Sequence, residues 1–250
     1  MTTANMKKYA IAAACVLFFL ICGEGKSYGA IPSTYDIEGK FVIWKIEKVP
    51  VWRFPKSSAG EVSELSGRFN NLYKAGFKLE QLRVDKASGK WSLFVGKQLI
   101  YSVPPEYARS IKQDPQKVAL QMMSRVYEAI GEQHAAALTP AFQIKGKYAV
   151  SGSVSWYGDK FIGKKFANGE RFTETHLTAA AKNLPFGTLV RITVPSGKSV
   201  VVRVTDRFKE HKNRVLDISH AAAELLGIKT AGTPSVRVEV IGRVDRIGGK

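Results

Sequence analysis

Two acids stand where chemistry could be done. Asp206 ends the run "VVRVTD" (201–206), and Arg207, Lys209, Glu210, His211, Lys212 and Arg214 follow within eight residues. Side chains alternate faces along a strand, so Val202, Val204 and Asp206 are expected on one face and Val201, Arg203 and Thr205 on the other. A carboxyl group set in line with an apolar row is partly withdrawn from water; such a group can keep a proton and act as a general acid. Arg207 would oppose this if it paired with Asp206. The alternative is an ordinary strand-end turn acid, and spacing alone favours that alternative. Glu170 lies in "FANGERF" (166–172), directly after the turn signal Asn168-Gly169, and is open to the same two readings. His176, His211 and His220 are scattered and lack ligand spacing, so no metal site and no cofactor are expected. Neither a Gly-x-Ser-x-Gly elbow nor a phosphate-binding glycine loop is present.

Such acids need strands to hold them. "KYAVSGSVSWYG" (147–158) and "TLVRITVPSGKSVVVRVTD" (188–206) alternate strongly, with "PSGK" as the turn of a hairpin, and "SVRVEVIG" (235–242) is a closing strand. Ser219 can cap a helix over "HAAAELL" (220–226) that Gly227 ends. Many short strands with one helix predict a compact barrel over 148–242. Residues 31–134 predict a separate, small α+β domain. Val62, Leu65, Phe69, Leu72 and Tyr73 follow helical spacing over roughly 60–75. "LEQLRVD", "KASGK" and "WSLFVG" form a hairpin, and "LIYSV" adds a strand before Pro104-Pro105. Asp114-Pro115 starts a second helix with Val118, Ala119, Met122, Val126 and Ile130 on its buried face and Gly131 at its end. Trp44, Trp52 and Trp91 are expected in the core rather than in a glycan site. "AAALTPAFQIKGK" (135–147) has few charges and no period, which predicts a linker, and 243–250 a C-terminal tail.

The leader sets the compartment. Lys7 and Lys8 precede the apolar run Tyr9–Cys22, too short for a typical spanning helix, and small residues follow up to Ala30. Residues 1–30 are therefore expected to be a signal peptide cleaved between Gly25 and Ala30, with an uncleaved anchor as the alternative. Leu20 and Ile21 before Cys22 do not suit lipidation. Both cysteines lie in the leader, so an exported chain would hold no disulfide and no thiol nucleophile. The formal charge of +17 suggests an anionic partner: nucleic acid, anionic lipid or bacterial cell wall. Because the charge is spread evenly, with no basic arm, nucleic acid is not expected.

Several motifs occur in order: "SWYG" (155–158), "ANGERF" (167–172), "LTAAAKNLPFGTLVRI" (177–192), "KSVVVRVTDR" (198–207), "RVLDISHAAAELLG" (214–227) and "VRVEVIG" (236–242). Together they resemble the rare lipoprotein A (RlpA) family across essentially the whole second domain. The resemblance implies a six-stranded double-psi β-barrel, a fold also found in expansins and some glycoside hydrolases. It further implies an endolytic peptidoglycan transglycosylase that cleaves between N-acetylmuramic acid and N-acetylglucosamine and leaves 1,6-anhydro ends. Asp206 then matches the family's catalytic acid and Glu170 its second acid. Tyr157 is a candidate to stack on sugar, and Asn168, Glu174 and Arg207 are candidates for substrate binding.

This sequence departs from the family pattern at three places. An aspartate usual three residues after "ANGE" is Thr173, with Glu174 beside it; the histidine of the usual "TAAH" is Ala181; the usual "DRGP" is here Asp206-Arg207-Phe208-Lys209. These changes favour the alternative of a non-enzymatic, expansin-like module that binds peptidoglycan. A third alternative, an anchored scaffold, would place the barrel against cell-division or other envelope proteins.

Overall fold

The computed structural model describes residues 33–134, 149–208, 214–230, 234–243 and 246–247. The expected signal peptide and the expected linker lie outside the described residues. From Ile31 to Lys250 the chain is one compact unit.

The first region opens with a three-stranded antiparallel sheet, β1 (Ser33–Glu38), β2 (Phe41–Ile46) and β3 (Val49–Pro55). Helix α1 (Ala59–Ala75) follows, with Val62, Leu65, Phe69 and Leu72 buried as their spacing dictates. Gly76, at φ 72, ends it where a side chain would be strained. After the short β4 (Phe77–Lys78) comes a second sheet, β5 (Leu82–Ala87), β6 (Lys90–Val95) and β7 (Gln98–Ser102). Helix α2 (Pro105–Ser110) leads to the long helix α3 (Pro115–His134). Asp114 Oδ1 caps α3 by accepting from the backbone N–H groups of Gln116 and Lys117. Trp44 is fully buried, whereas Trp52 is only half-buried and its Nε1 donates to the Tyr107 hydroxyl.

The second region is a closed barrel of β8 (Ala149–Tyr157), β9 (Thr178–Ala180), β10 (Thr188–Thr193), β11 (Ser199–Asp206), β12 (Arg214–Ser219) and β13 (Ser235–Arg243). The spatial order is β10-β11-β9-β12-β8-β13. Two pairs are parallel, β11 with β9 and β12 with β8, and the others are antiparallel. Val154, Ala179, Val202, Val204 and Ile218 fill the interior. Helix α4 (His220–Leu226) begins on Ser219, whose hydroxyl accepts from Ala222 N, and ends at the left-handed Gly227.

Gly131 does not end α3, which runs three residues further. It is a docking point instead. A Cβ on Gly242 of β13 would lie 2.4 Å from the Gly131 carbonyl oxygen, so glycine is required for helix and strand to approach this closely. Beside it, Ser124 Oγ accepts from Val201 N, and Arg191 of β10 reaches Glu128 and Glu132 of the helix at 2.8 and 2.9 Å. One buried cluster therefore holds Phe69 and Met122 of the first region together with Val202 and Ile218 of the barrel. Finally β14 (Arg246–Ile247), within the segment expected to be a tail, pairs with β4.

Candidate active site

The strand alternation expected around Asp206 is interrupted. On β11, Arg203 is in register with Thr178 and Val204 with Ala179, but Asp206, not Thr205, is in register with Ala180. Thr178 and Ala180 project from the same side of β9, so the bulge at Thr205 turns Asp206 to the face of Arg203. The expectation that Asp206 shares the Val202/Val204 face is thereby corrected: those valines point into the barrel and the acid points out of it.

At that edge Asp206 is half-buried, beside a cavity of about 150 Å³ walled by Tyr157, Phe161, Phe166, Phe172 and Phe208. Its Oδ1 accepts from the backbone N–H groups of Ala167 at 2.9 Å and Arg207 at 2.8 Å. Oδ2 takes no hydrogen bond among the described residues. Arg207 makes no ion pair with Asp206 among the described residues. Its guanidinium lies 3.9 Å from the centroid of Phe186 and donates to the carbonyls of Ala181 and Asp206. Among the described residues Asp206 is neither an exposed turn acid nor a salt-bridged one: two amides fix one oxygen, and the residue lines the cavity.

Glu170 has a different environment. Arg203 Nη1 and Nη2 donate to its two oxygens at 2.6 and 2.5 Å, and Asn168 Nδ2 adds a third bond at 2.5 Å. Burial alone would raise the pKa of Glu170, but the bonds and charge of Arg203, then Asn168, hold it below the ordinary value of 4.5. Arg203 itself is only 5% exposed; burial disfavours its charge, and Glu170 and Tyr127 more than restore it. Glu170 is therefore ionised at neutral pH in a bidentate pair, and holds no proton there to give up. Asn168 serves this clasp from both ends, since its Oδ1 accepts from Glu170 N and its own N–H donates to Thr205 O.

The Tyr157 ring packs edge-on against Phe161, Phe166 and Phe172, and its hydroxyl pairs with Thr178 Oγ1 at 2.7 Å. Burial and the neighbouring acids Asp206 and Asp217 keep the phenol protonated. His176 packs against the same Phe166 and Phe172, and burial first, then Arg203, pushes its pKa down to about 4. It is a neutral acceptor for Thr173 N. Glu174 is exposed and does not line the cavity. No group of three or more potential ligands is gathered as a metal site among the described residues.

The structure adds one acid that the sequence analysis passed over. Asp217 of β12 is in register with Ala180 from the side away from Asp206, and it lines the same cavity. The two acids flank Ala180 on one face, with Cα atoms two strand spacings, about 10 Å, apart. Ser155 Oγ donates to Asp217 Oδ1 at 2.5 Å, and Arg214 Nε lies 3.0 Å from that oxygen. The signal was present in "RVLDIS", an acid inside an apolar strand, the same pattern that singled out Asp206.

Residues 149–238 match a family model described as lytic transglycolase. The chain is 42% identical over 119 residues to the endolytic peptidoglycan transglycosylase RlpA of Neisseria meningitidis, covering 47% of this chain and 48% of that protein. It is 48% identical over 99 residues to the protein of the same name from Pseudomonas aeruginosa, covering 39% and 29%.

Over residues 149–238 the barrel is similar to the RlpA proteins.

The matched segments span about half or less of these two relatives' own length. Among solved structures, the barrel is similar to an expansin of Clavibacter michiganensis, at 22% identity over 37% of this chain and 50% of that one, with a TM-score of 0.31. The family-model match spans both acids on the outer face, Asp206 and Asp217, and the loop that carries Glu170.

Proposed function

We propose that the protein is an endolytic peptidoglycan transglycosylase, exported to the periplasm, that remodels the cell wall. The observation that carries this is the half-committed carboxylate of Asp206, fixed through Oδ1 and without a bond at Oδ2 among the described residues, on the rim of an aromatic cavity. The matched relatives bear the name of that activity. Asp206 gives its proton to the oxygen between N-acetylmuramic acid and N-acetylglucosamine, and that carbon–oxygen bond breaks. The muramyl 6-hydroxyl oxygen bonds to the anomeric carbon and its proton returns to Asp206, so no water is consumed. Positive charge develops on the sugar in such a step. Asp217, across Ala180 on the same face, stands where an anion can stabilise it. The Glu170–Arg203 pair keeps the 166–170 segment, and with it the Ala167 amide, on Asp206. Of the aromatic wall, the exposed Phe161 offers a face to a sugar ring.

The alternative, a wall-binding module without chemistry, draws on the replaced residues Thr173, Ala181 and Phe208. One experiment separates the two. Purified residues 31–250 are incubated with peptidoglycan sacculi, and soluble products are examined by mass spectrometry. Anhydro-muropeptides are the expected result. Reducing ends would mean a hydrolase, and sedimentation with sacculi without release would mean a binding module.

A further inference from the structure

The clasp on Glu170 does not end at the barrel wall. Tyr127 belongs to α3, in the first region, and is 2% exposed. One helical turn beyond Ser124, which holds Val201 N, Tyr127 comes against Arg203 two residues further along β11, and its hydroxyl favours the charged arginine. Arg203 uses Nη1 and Nη2 on Glu170, and its buried Nε has no hydrogen-bond partner among the described residues. A buried guanidinium short of acceptors depends on each one it has. From Arg203 the chain of bonds continues through Glu170 and Asn168 to the segment whose Ala167 N–H holds Asp206 Oδ1.

We infer that Tyr127 is a positioning residue for the cleft: through Arg203 and Glu170, the long helix of the first region fixes the segment that orients Asp206. This rests on the reading of the cleft given above. It also gives the first region a role in the chemistry, which its own residues do not otherwise supply. Helix α3 is fastened to the barrel by the Gly131–Gly242 approach and the Arg191 pairs, so the hydroxyl is delivered from a firm base.

The test is Tyr127→Phe in residues 31–250, which removes only the hydroxyl. Turnover of sacculi should fall about 3–30-fold in kcat with KM little changed, because substrate contacts remain while the acid loses orientation. Two readouts do not depend on activity. The Glu170 carboxyl, followed by carbon NMR, should titrate at higher pH in the variant, and amide exchange over 166–170 should quicken at equal distance below each protein's melting temperature. Wild-type turnover together with wild-type Glu170 titration would overturn the inference. Should the wild type release no glycan, the transglycosylase reading fails by itself, and the titration and exchange still decide the relay. Should Tyr127→Phe not fold, Glu170→Gln reads the relay in reverse: it must shift the ring resonances of Tyr127, and unchanged resonances would overturn the inference.

Discussion

The barrel is held on two flanks by different physics. The segment 166–170 is clasped to β11 by polar groups: Asn168 N–H on Thr205 O, Ala167 N–H on Asp206, and the Glu170–Arg203 pair. Helix α3 is held to β10, β11 and β13 by close approach, with Gly131 pressed on Gly242, and by the Ser124–Val201 bond and the Arg191 pairs beside it. Charge orients the side that bears Asp206, and close packing together with the Arg191 pairs secures the other. Substitutions on the first should change chemistry more than stability, and substitutions on the second the reverse.

The largest expected effect is on the cleft. Asp206→Asn keeps an acceptor for the Ala167 and Arg207 amides but cannot transfer a proton. Glycan release should fall ~100–10,000-fold, with the melting temperature nearly unchanged. A variant that melts early would place Asp206 with the structural flank and erase the contrast. Next comes Gly242→Ala. Its Cβ would meet the Gly131 carbonyl at 2.4 Å, backbone against backbone. Overpacking of this kind costs about 1–3 kcal/mol, which calorimetry should register as a lowered melting temperature. Unaltered melting would mean that helix and strand separate without penalty.

A smaller effect lies in pH. His176 has a folded pKa of about 4, below the ordinary 6.5, so the unfolded chain binds its proton more readily. The stability tied to the neutral ring is present above pH 6.5 and is lost as pH falls toward 4. Glu170 is likewise depressed and adds a loss below its ordinary value of 4.5. Melting temperatures measured across this range should decline on acidification. His176→Asn, which keeps an acceptor near Thr173 N, should flatten the upper part of the curve. A slope unchanged by that substitution would shift the acid sensitivity to another group. The smallest effect is Ser124→Ala, which leaves Val201 N without its acceptor and should destabilise by about 1 kcal/mol in denaturant melts, with glycan release unaffected.

The sequence carried the local elements well, because each was written in neighbouring residues. The Asp114-Pro115 helix start, the "PSGK" hairpin and the Ser219 cap all stand where their residue types placed them. Long-range features were harder to see. Alternation along "VVRVTD" assumes an unbroken pleat, and only pairing with β9 reveals the bulge that turns Asp206 outward. Gly131 had the composition of a helix end, yet its purpose is set by Gly242, more than a hundred residues later. Asp217 gained its meaning from lying across Ala180 from Asp206. Glu170 was visible as an acid, but its ionised state comes from a buried arginine whose partner helix lies in the other region.

The pairing of Arg246–Ile247 with Phe77–Lys78 has a consequence for how the molecule is made. The barrel is threaded between two pieces of the first region's own structure, so that region cannot complete its smallest sheet until residues 246–247 arrive. A pairing of such sequence separation carries a large loop-closure entropy and forms late. As the polypeptide emerges end-first from the ribosome or a translocation pore, β4 waits as an open edge while every barrel strand is added. The closing step then reports that residues 246–247 have been made, and their removal would leave its mark near residue 77.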